Sequence, residues 1–114
     1  MIRNSIVLVP FPFDDFSASK VRPALCLTDE IGKFNHIIIA FISSKIPDEL
    51  AESDIIIEKG SEYWEGTGLV IDSVIRLHKV VTIPKSLIKR RLGSINILTA
   101  FEIKKKLIQL LAIR

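Results

Sequence analysis

The chain is a series of short apolar runs separated by polar turns, which is the pattern of a β protein. Residues 6–9 form the first run; it is rich in β-branched side chains and ends at a Pro-x-Pro segment, so we predict a buried strand that stops abruptly. A polar loop over residues 14–21 precedes a second predicted strand at 24–28. Residues 36–43 are mostly apolar at successive positions, which predicts a third strand buried on both faces, either central in a sheet or covered by a partner subunit.

The second half continues this pattern and then changes to a helical period. From residue 96 the apolar positions share one helical face, and either Asn96, or Thr99 with Glu102 as a capping box, can begin the helix. That face holds Ala100, Ile103, Leu107, Leu110 and Leu111, whereas Lys104, Lys105 and Lys106 lie largely outside it. Before the helix we predict strands at 54–58, 73–81 and 92–95, a loop or short helix at 59–68, and single helical turns at 46–51 and 85–89. The predicted fold class is therefore mainly β with short helices, a strongly bent antiparallel sheet capped by a C-terminal amphipathic helix.

Length and composition bound the class of protein. The 114 residues suit one domain, and the lone Cys26 lies within an apolar strand, which is typical of packing in a reducing compartment. The longest apolar run, residues 37–42, is too short to span a bilayer, and the prolines and aspartates near the start do not fit a secretory signal. We therefore predict a cytoplasmic protein with no membrane partner.

Net charge and hydropathy say less about the class of protein than length and composition do. A net charge of +3 permits nucleic-acid binding without demonstrating it. The hydrophobic fraction of 48% and mean hydropathy of +0.37 are high for so short a chain, which favours a dimer or an apolar groove for a partner.

The segment Lys20-Val21-Arg22-Pro23 joins the polar loop to the second predicted strand. Pro23 disfavours the helical region for Arg22, so this arginine is held extended at the end of the strand. A guanidinium fixed there suits bidentate binding of a phosphate or a carboxylate, although an ordinary solvated cation would have the same sequence.

Four blocks of the chain, taken in order, resemble the MazF/PemK family of toxin endoribonucleases. Residues 5–25 contain a Pro-Phe-Pro-Phe segment and a Ser-Lys-x-Arg-Pro loop, and the other blocks are 41–44, 73–77 and 82–87. The resemblance implies an SH3-like barrel, usually a homodimer, acting as the toxin of a type II toxin–antitoxin system with a cognate antitoxin as partner. It also implies metal-independent cleavage of single-stranded RNA by the ribose 2′-hydroxyl, giving a 2′,3′-cyclic phosphate. No acidic or histidine cluster in the sequence has the spacing of a two-metal site, so we predict no metal or other cofactor.

The resemblance and the residue chemistry together give four candidate catalytic residues. Arg22 matches the arginine of the family's Arg-Pro motif and suits stabilisation of the phosphorane. Ser43 stands where the family most often has threonine; its hydroxyl either binds the scissile phosphate or caps the next turn. Arg76 and His78 lie two apart on a predicted strand, with His78 in place of the family's acidic residue. An imidazole can serve as general acid or base, but this departure can equally mark an altered nuclease or a structural histidine.

Four further residues are candidates for RNA binding. Ser19, Lys20 and Lys79 would contact phosphates, and Trp64 would either stack on an unpaired base or plug the core beside Tyr63. Two alternative functions stay open. One is a non-enzymatic toxin on the same barrel that binds a protein such as gyrase, and the other is an SH3-like RNA-binding module that has lost its chemistry through the change at His78.

Overall fold

A six-stranded antiparallel sheet and one C-terminal helix make up the computed structural model, which describes residues 1–10 and 20–113. The sheet curls into a half-barrel with strand order β4-β5-β3-β2-β1-β6, which confirms the predicted mainly β class with a terminal helix. The elements are β1 (Ser5–Pro10), β2 (Val21–Cys26), β3 (His36–Ser43), β4 (Asp54–Ile57), β5 (Ser73–Pro84), a turn of 3₁₀ helix (Lys85–Leu87), β6 (Arg90–Ser94) and α1 (Ile97–Leu111).

The core consists of one apolar cluster on each face of the sheet, because successive side chains of a strand point to opposite faces. On β1, Ile6 joins the cluster under α1 while Val7 joins the other cluster. We call these the helix-side cluster and the second cluster. β3 pairs with both β2 and β5, so its central position explains why it is apolar on both faces. Burying one such large aliphatic side chain contributes about 1.5–3 kcal/mol.

Helix α1 starts at Asn96, which decides between the two predicted caps. The Asn96 Oδ1 atom accepts a hydrogen bond from the Thr99 amide at 3.0 Å, satisfying an amide that the first turn leaves without a partner. Ile103 is buried in the helix-side cluster, as predicted. Leu110 and Leu111 were wrongly included in the buried face: 42% and 63% of their surfaces are exposed, because the last turn contributes nothing to the helix-side cluster.

The predicted helical turn at 46–51 does not form. The side chain of Asp54 competes for the backbone there: its Oδ2 atom accepts from the Ala51 amide at 2.9 Å, and the Asp54 amide donates to the Ala51 carbonyl at 3.0 Å. The predicted strand at 73–81 and turn at 85–89 form with different limits, since β5 runs on to Pro84.

Two close backbone contacts fix the loop that precedes β5 against β6. Gly68 has a positive φ of +75°, and a Cβ placed on it would lie 2.1 Å from the Leu92 carbonyl oxygen. The Ser94 amide donates to the Gly66 carbonyl at 2.9 Å. Glycine is needed at position 68 because only a residue without Cβ permits both the conformation and the approach.

Within the described part of the chain, neither length nor apolar character qualifies any helix to cross a membrane.

Candidate functional site

The register of the central strands brings predicted site residues to one face. Ala24 of β2 is aligned with Phe41 of β3, and both belong to the second cluster. Continuing this antiparallel register by two residues puts Arg22 opposite Ser43. On the other side of β3, Phe41 is aligned with Arg76. β2 and β5 both flank β3, so their axes are roughly 10 Å apart, a gap that two long arginine side chains can close on one phosphate.

These residues line a cleft of about 510 Å³. Of the predicted catalytic residues, Arg22, Ser43 and Arg76 line it, and the predicted RNA-binding residue Lys79 does so as well. Lys45, which the sequence analysis missed, supplies a fourth cation. We call this the cationic cleft. Its other lining residues are Val21, Pro23, Phe41, Ile42, Ser44, Leu69, Val70, Ile71 and Ser73.

Among the described residues that line the cationic cleft there are four cations and no carboxylate. Their charges add in a partly enclosed space, where low-dielectric walls strengthen the attraction for an anion. Arginine offers paired donors to phosphate, while lysine acts as a compact point charge. The arrangement therefore suits a polyanion with closely spaced phosphates.

Ser43 has the turn-capping contacts that were one of its two predicted roles. Its Oγ atom accepts from the Lys45 amide at 3.0 Å and donates to the Lys45 carbonyl at 3.3 Å. A hydroxyl has one proton to donate, so Ser43 would have to give up the contact with the carbonyl to donate to a phosphate oxygen.

Arg76 enters the cleft from β5 with 21% of its side chain exposed. Its Nε atom donates at 2.9 Å to the Oδ1 atom of Asp54, the residue directly opposite on β4. The Asp54 side chain is fully buried and does not line the cationic cleft. Asp54 was not predicted as a site residue; its role depends on its pairing with Arg76 across β4 and β5.

His78 does not line the cleft, although it lies beside Arg76. Its Nε2 atom is 3.4 Å from Arg76 Nη2, and its Nδ1 atom is 3.1 Å from Ser53 Oγ. The register of β5 shifts next to His78: Phe41 pairs with Arg76, but Ala40 pairs with Val80. β5 therefore has three additional residues at this point, and Lys79 rather than His78 joins Arg76 in the cleft.

The remaining predicted RNA-binding residues lie elsewhere. Lys20 is exposed just before β2 and is not among the cleft-lining residues, and Ser19 is outside the described residues. Trp64 is half-buried and packs with Tyr63 against the helix-side cluster, which is the core position given as its alternative. The described residues contain no group of three or more His, Cys, Asp or Glu side chains placed to hold a metal ion.

A family model for the PemK-like, MazF-like toxin of type II toxin–antitoxin systems matches residues 2–111. The chain belongs to this family. No curated protein sequence matches it. Among solved structures it is similar to an endoribonuclease from mycobacterial species in complex with its cognate antitoxin, with a TM-score of 0.73 and 10% identity over 100% of this chain and 97% of that one. It is also similar to the Mycobacterium tuberculosis toxin MazF-mt6, with a TM-score of 0.71 and 17% identity over 96% and 98%. At identities this low, the similarity to these two structures shows only that the folds are alike.

Proposed function

We propose that this MazF-like toxin is a metal-independent endoribonuclease that cleaves single-stranded RNA in the cationic cleft. The observation that carries the proposal is the meeting of Arg22 and Arg76 in one cleft with Lys45 and Lys79. The structurally similar mycobacterial endoribonuclease adds support. A toxin acting on RNA would work in the cytoplasm, where RNA is available.

In the proposed reaction the ribose 2′-oxygen bonds to phosphorus as the bond to the 5′-oxygen breaks, giving a 2′,3′-cyclic phosphate and a 5′-hydroxyl. Charge develops on the non-bridging oxygens, and Arg22 and Arg76 would stabilise it with donors fixed in advance. The 2′-oxygen loses a proton to solvent water and the 5′-oxygen gains one from it, because a guanidinium has no lone pair to accept the proton of the 2′-hydroxyl. Of the two candidates for these transfers named from the sequence, Arg76 and His78, only Arg76 lines the cleft.

The test is incubation of purified protein with a long unstructured RNA in excess EDTA. We expect cleavage with 2′,3′-cyclic phosphate ends, its loss in Arg22→Ala, and its retention in Arg90→Ala, which removes an exposed arginine outside the cleft. Intact RNA with the wild type would refute the proposal, and intact but tightly bound RNA would favour the inactive RNA-binding module. The protein-binding alternative is not favoured, because the charged side chains that line the cleft within the described part of the chain are all cations, which suits a polyanion.

We also propose that the toxin is a homodimer. Helix α1 exposes a stripe of apolar side chains away from its buried face, and Ile97, Phe101 and Leu111 are each more than 60% exposed. A monomer would leave this stripe in water. Light scattering after size exclusion should give twice the 12.8 kDa chain mass. Phe101→Glu should give a monomer with unchanged circular dichroism, whereas the exposed-site control Lys105→Glu should remain dimeric; a wild-type monomer would contradict the proposal.

The third part of the proposal is a cognate antitoxin whose acidic and apolar segment occupies the cationic cleft. Such a segment would order on binding and exclude RNA. Co-expression with the product of an adjacent small reading frame should yield a complex that does not cleave RNA. Binding that leaves cleavage unchanged would contradict this occupancy.

A further inference from the structure

Arg76 is held from two sides before any substrate arrives. Asp54 Oδ1 contacts its Nε atom at 2.9 Å, and His78 Nε2 contacts its Nη2 atom at 3.4 Å. Charge-assisted hydrogen bonds to a planar guanidinium fix both its position and its orientation. These two contacts use the Nε proton and one Nη2 proton, so three of the five guanidinium protons remain available to a phosphate.

Asp54 is itself fixed and cannot reach a ligand. Its side chain has no exposed surface, its Oδ1 atom binds Arg76, and its Oδ2 atom accepts from the Ala51 amide. Both carboxylate oxygens are therefore engaged inside the protein. A buried carboxylate with this geometry acts on a reaction only through the cation that it holds.

The contacts of His78 favour one tautomer of its ring. A guanidinium has donors and no acceptor, so Nε2 must accept from Arg76. In the neutral ring Nδ1 then carries the proton and donates to Ser53 Oγ at 3.1 Å. The lone pair that would take a proton from a substrate is already directed at Arg76.

We infer that Asp54 and His78 are positioning residues that hold the Arg76 guanidinium at the scissile phosphate, and that His78 transfers no proton. The inference rests on the proposed endoribonuclease function. Holding the guanidinium in advance avoids the ordering of a flexible side chain in the transition state.

Two substitutions at His78 distinguish positioning of Arg76 from proton transfer when cleavage is measured in a single turnover. His78→Gln keeps a side-chain acceptor near the position of Nε2 but cannot titrate, whereas His78→Phe keeps the ring size and removes the acceptor. We expect His78→Gln to stay within about 3-fold of wild type and His78→Phe to lose about 10-fold or more. A loss that is equally large in both variants would overturn the positioning role and restore proton transfer.

Asp54→Asn also disturbs the contact of this side chain with the Ala51 amide. It is therefore tested in a double-mutant cycle with Arg76→Ala, which separates the two effects. We expect about a 10-fold or larger loss of rate in the wild-type background and less than about 2-fold in the Arg76→Ala background, at a temperature where all variants are folded. A structural defect alone would lower the rate equally in both backgrounds and would overturn the inference.

A readout without RNA keeps the inference separate from the proposed function. The Arg76 Nε proton should exchange slowly with solvent in the wild type and markedly faster in Asp54→Asn, as seen in nitrogen-resolved NMR spectra. Unchanged exchange would show that Asp54 does not hold Arg76. If the wild type fails to cleave RNA, the proposed function fails, and this exchange measurement still decides whether Arg76 is held in place.

Discussion

The salt dependence of RNA binding can be worked out from the lining of the cationic cleft. Four cations of the described residues line it: Arg22, Lys45, Arg76 and Lys79. If each neutralises one phosphate, binding releases the corresponding condensed counterions, and affinity then falls as salt rises. Lys79→Ala removes one of the four charges from the rim of β5 and leaves the proposed contacts of Arg22 and Arg76 in place.

The expected slopes follow from the number of phosphates. At about −0.7 per phosphate on a single strand, four contacts give a slope of log affinity against log salt of about −2.8, and three give about −2.1. Between 50 and 200 mM KCl the wild type should therefore weaken roughly 50-fold and Lys79→Ala roughly 20-fold.

Fluorescence anisotropy with a labelled 2′-O-methyl oligonucleotide measures these slopes without cleavage, because the attacking hydroxyl is blocked. Lys104→Ala is the matched control, since Lys104 is an exposed lysine of α1 outside the cleft. The reasoning is refuted if Lys79→Ala has the wild-type slope, or if Lys104→Ala lowers the slope by the same amount.

Three further predictions concern stability and reactivity. Gly68→Ala should destabilise the protein by about 2–4 kcal/mol in urea unfolding, against about 1 kcal/mol for the control Gly60→Ala, whose added Cβ meets no atom within 4 Å. Burial raises the pKa of the Cys26 thiol to about 11, so Ellman's reagent at pH 8 should react far more slowly with the native protein than with the unfolded one; equal rates would contradict this. The backbone amide of Arg3, and then that of Ile2, hold the pKa of Asp29 below 3.8, so its charge stabilises the fold above that pH and the benefit is lost as pH falls through the lowered pKa. Asp29→Asn should therefore be less stable than wild type at pH 7 but not well below pH 3.8, and a constant difference would argue against the linkage.

The β elements could be predicted from the sequence because their burial is decided by strand period. The unbroken apolar run of β3 indicated a strand between two neighbours, and the structure places it between β2 and β5. The absence of a helical turn at 46–51 could not be predicted from the composition of that segment, because the Asp54 side chain, which lies outside it, binds its backbone. Leu110 and Leu111 have the right period but lie beyond the residues that pack against the sheet, and period alone does not show where a neighbouring surface ends.

In the candidate site, too, some residues could be predicted from the sequence and others could not. Arg22 and Ser43 could be linked from the family's motifs, and the sheet register supports their proximity. Lys45 was missed because a lysine in a turn has no periodic signal; its presence in the cleft depends on the cap that its backbone makes with Ser43. Asp54 was missed because its importance lies in a cross-strand pair, which requires knowing that β4 is aligned with β5.

The register shift in β5 decides which side chains the cleft receives. In a regular strand Arg76, His78 and Val80 would share one face, and Lys79 would point to the opposite face with Leu77. β5 has three additional residues between the partners of Phe41 and Ala40, and they break this alternation before Val80, while Leu77 stays in the helix-side cluster. Lys79 is thereby placed with Arg76 in the cleft. His78 keeps the position beside Arg76 that regular alternation gives it, and there it also lies near Ser53 and Asp54. The local irregularity therefore accounts for the proposed RNA contact of Lys79, whereas the proposed positioning role of His78 follows from the regular part of the strand.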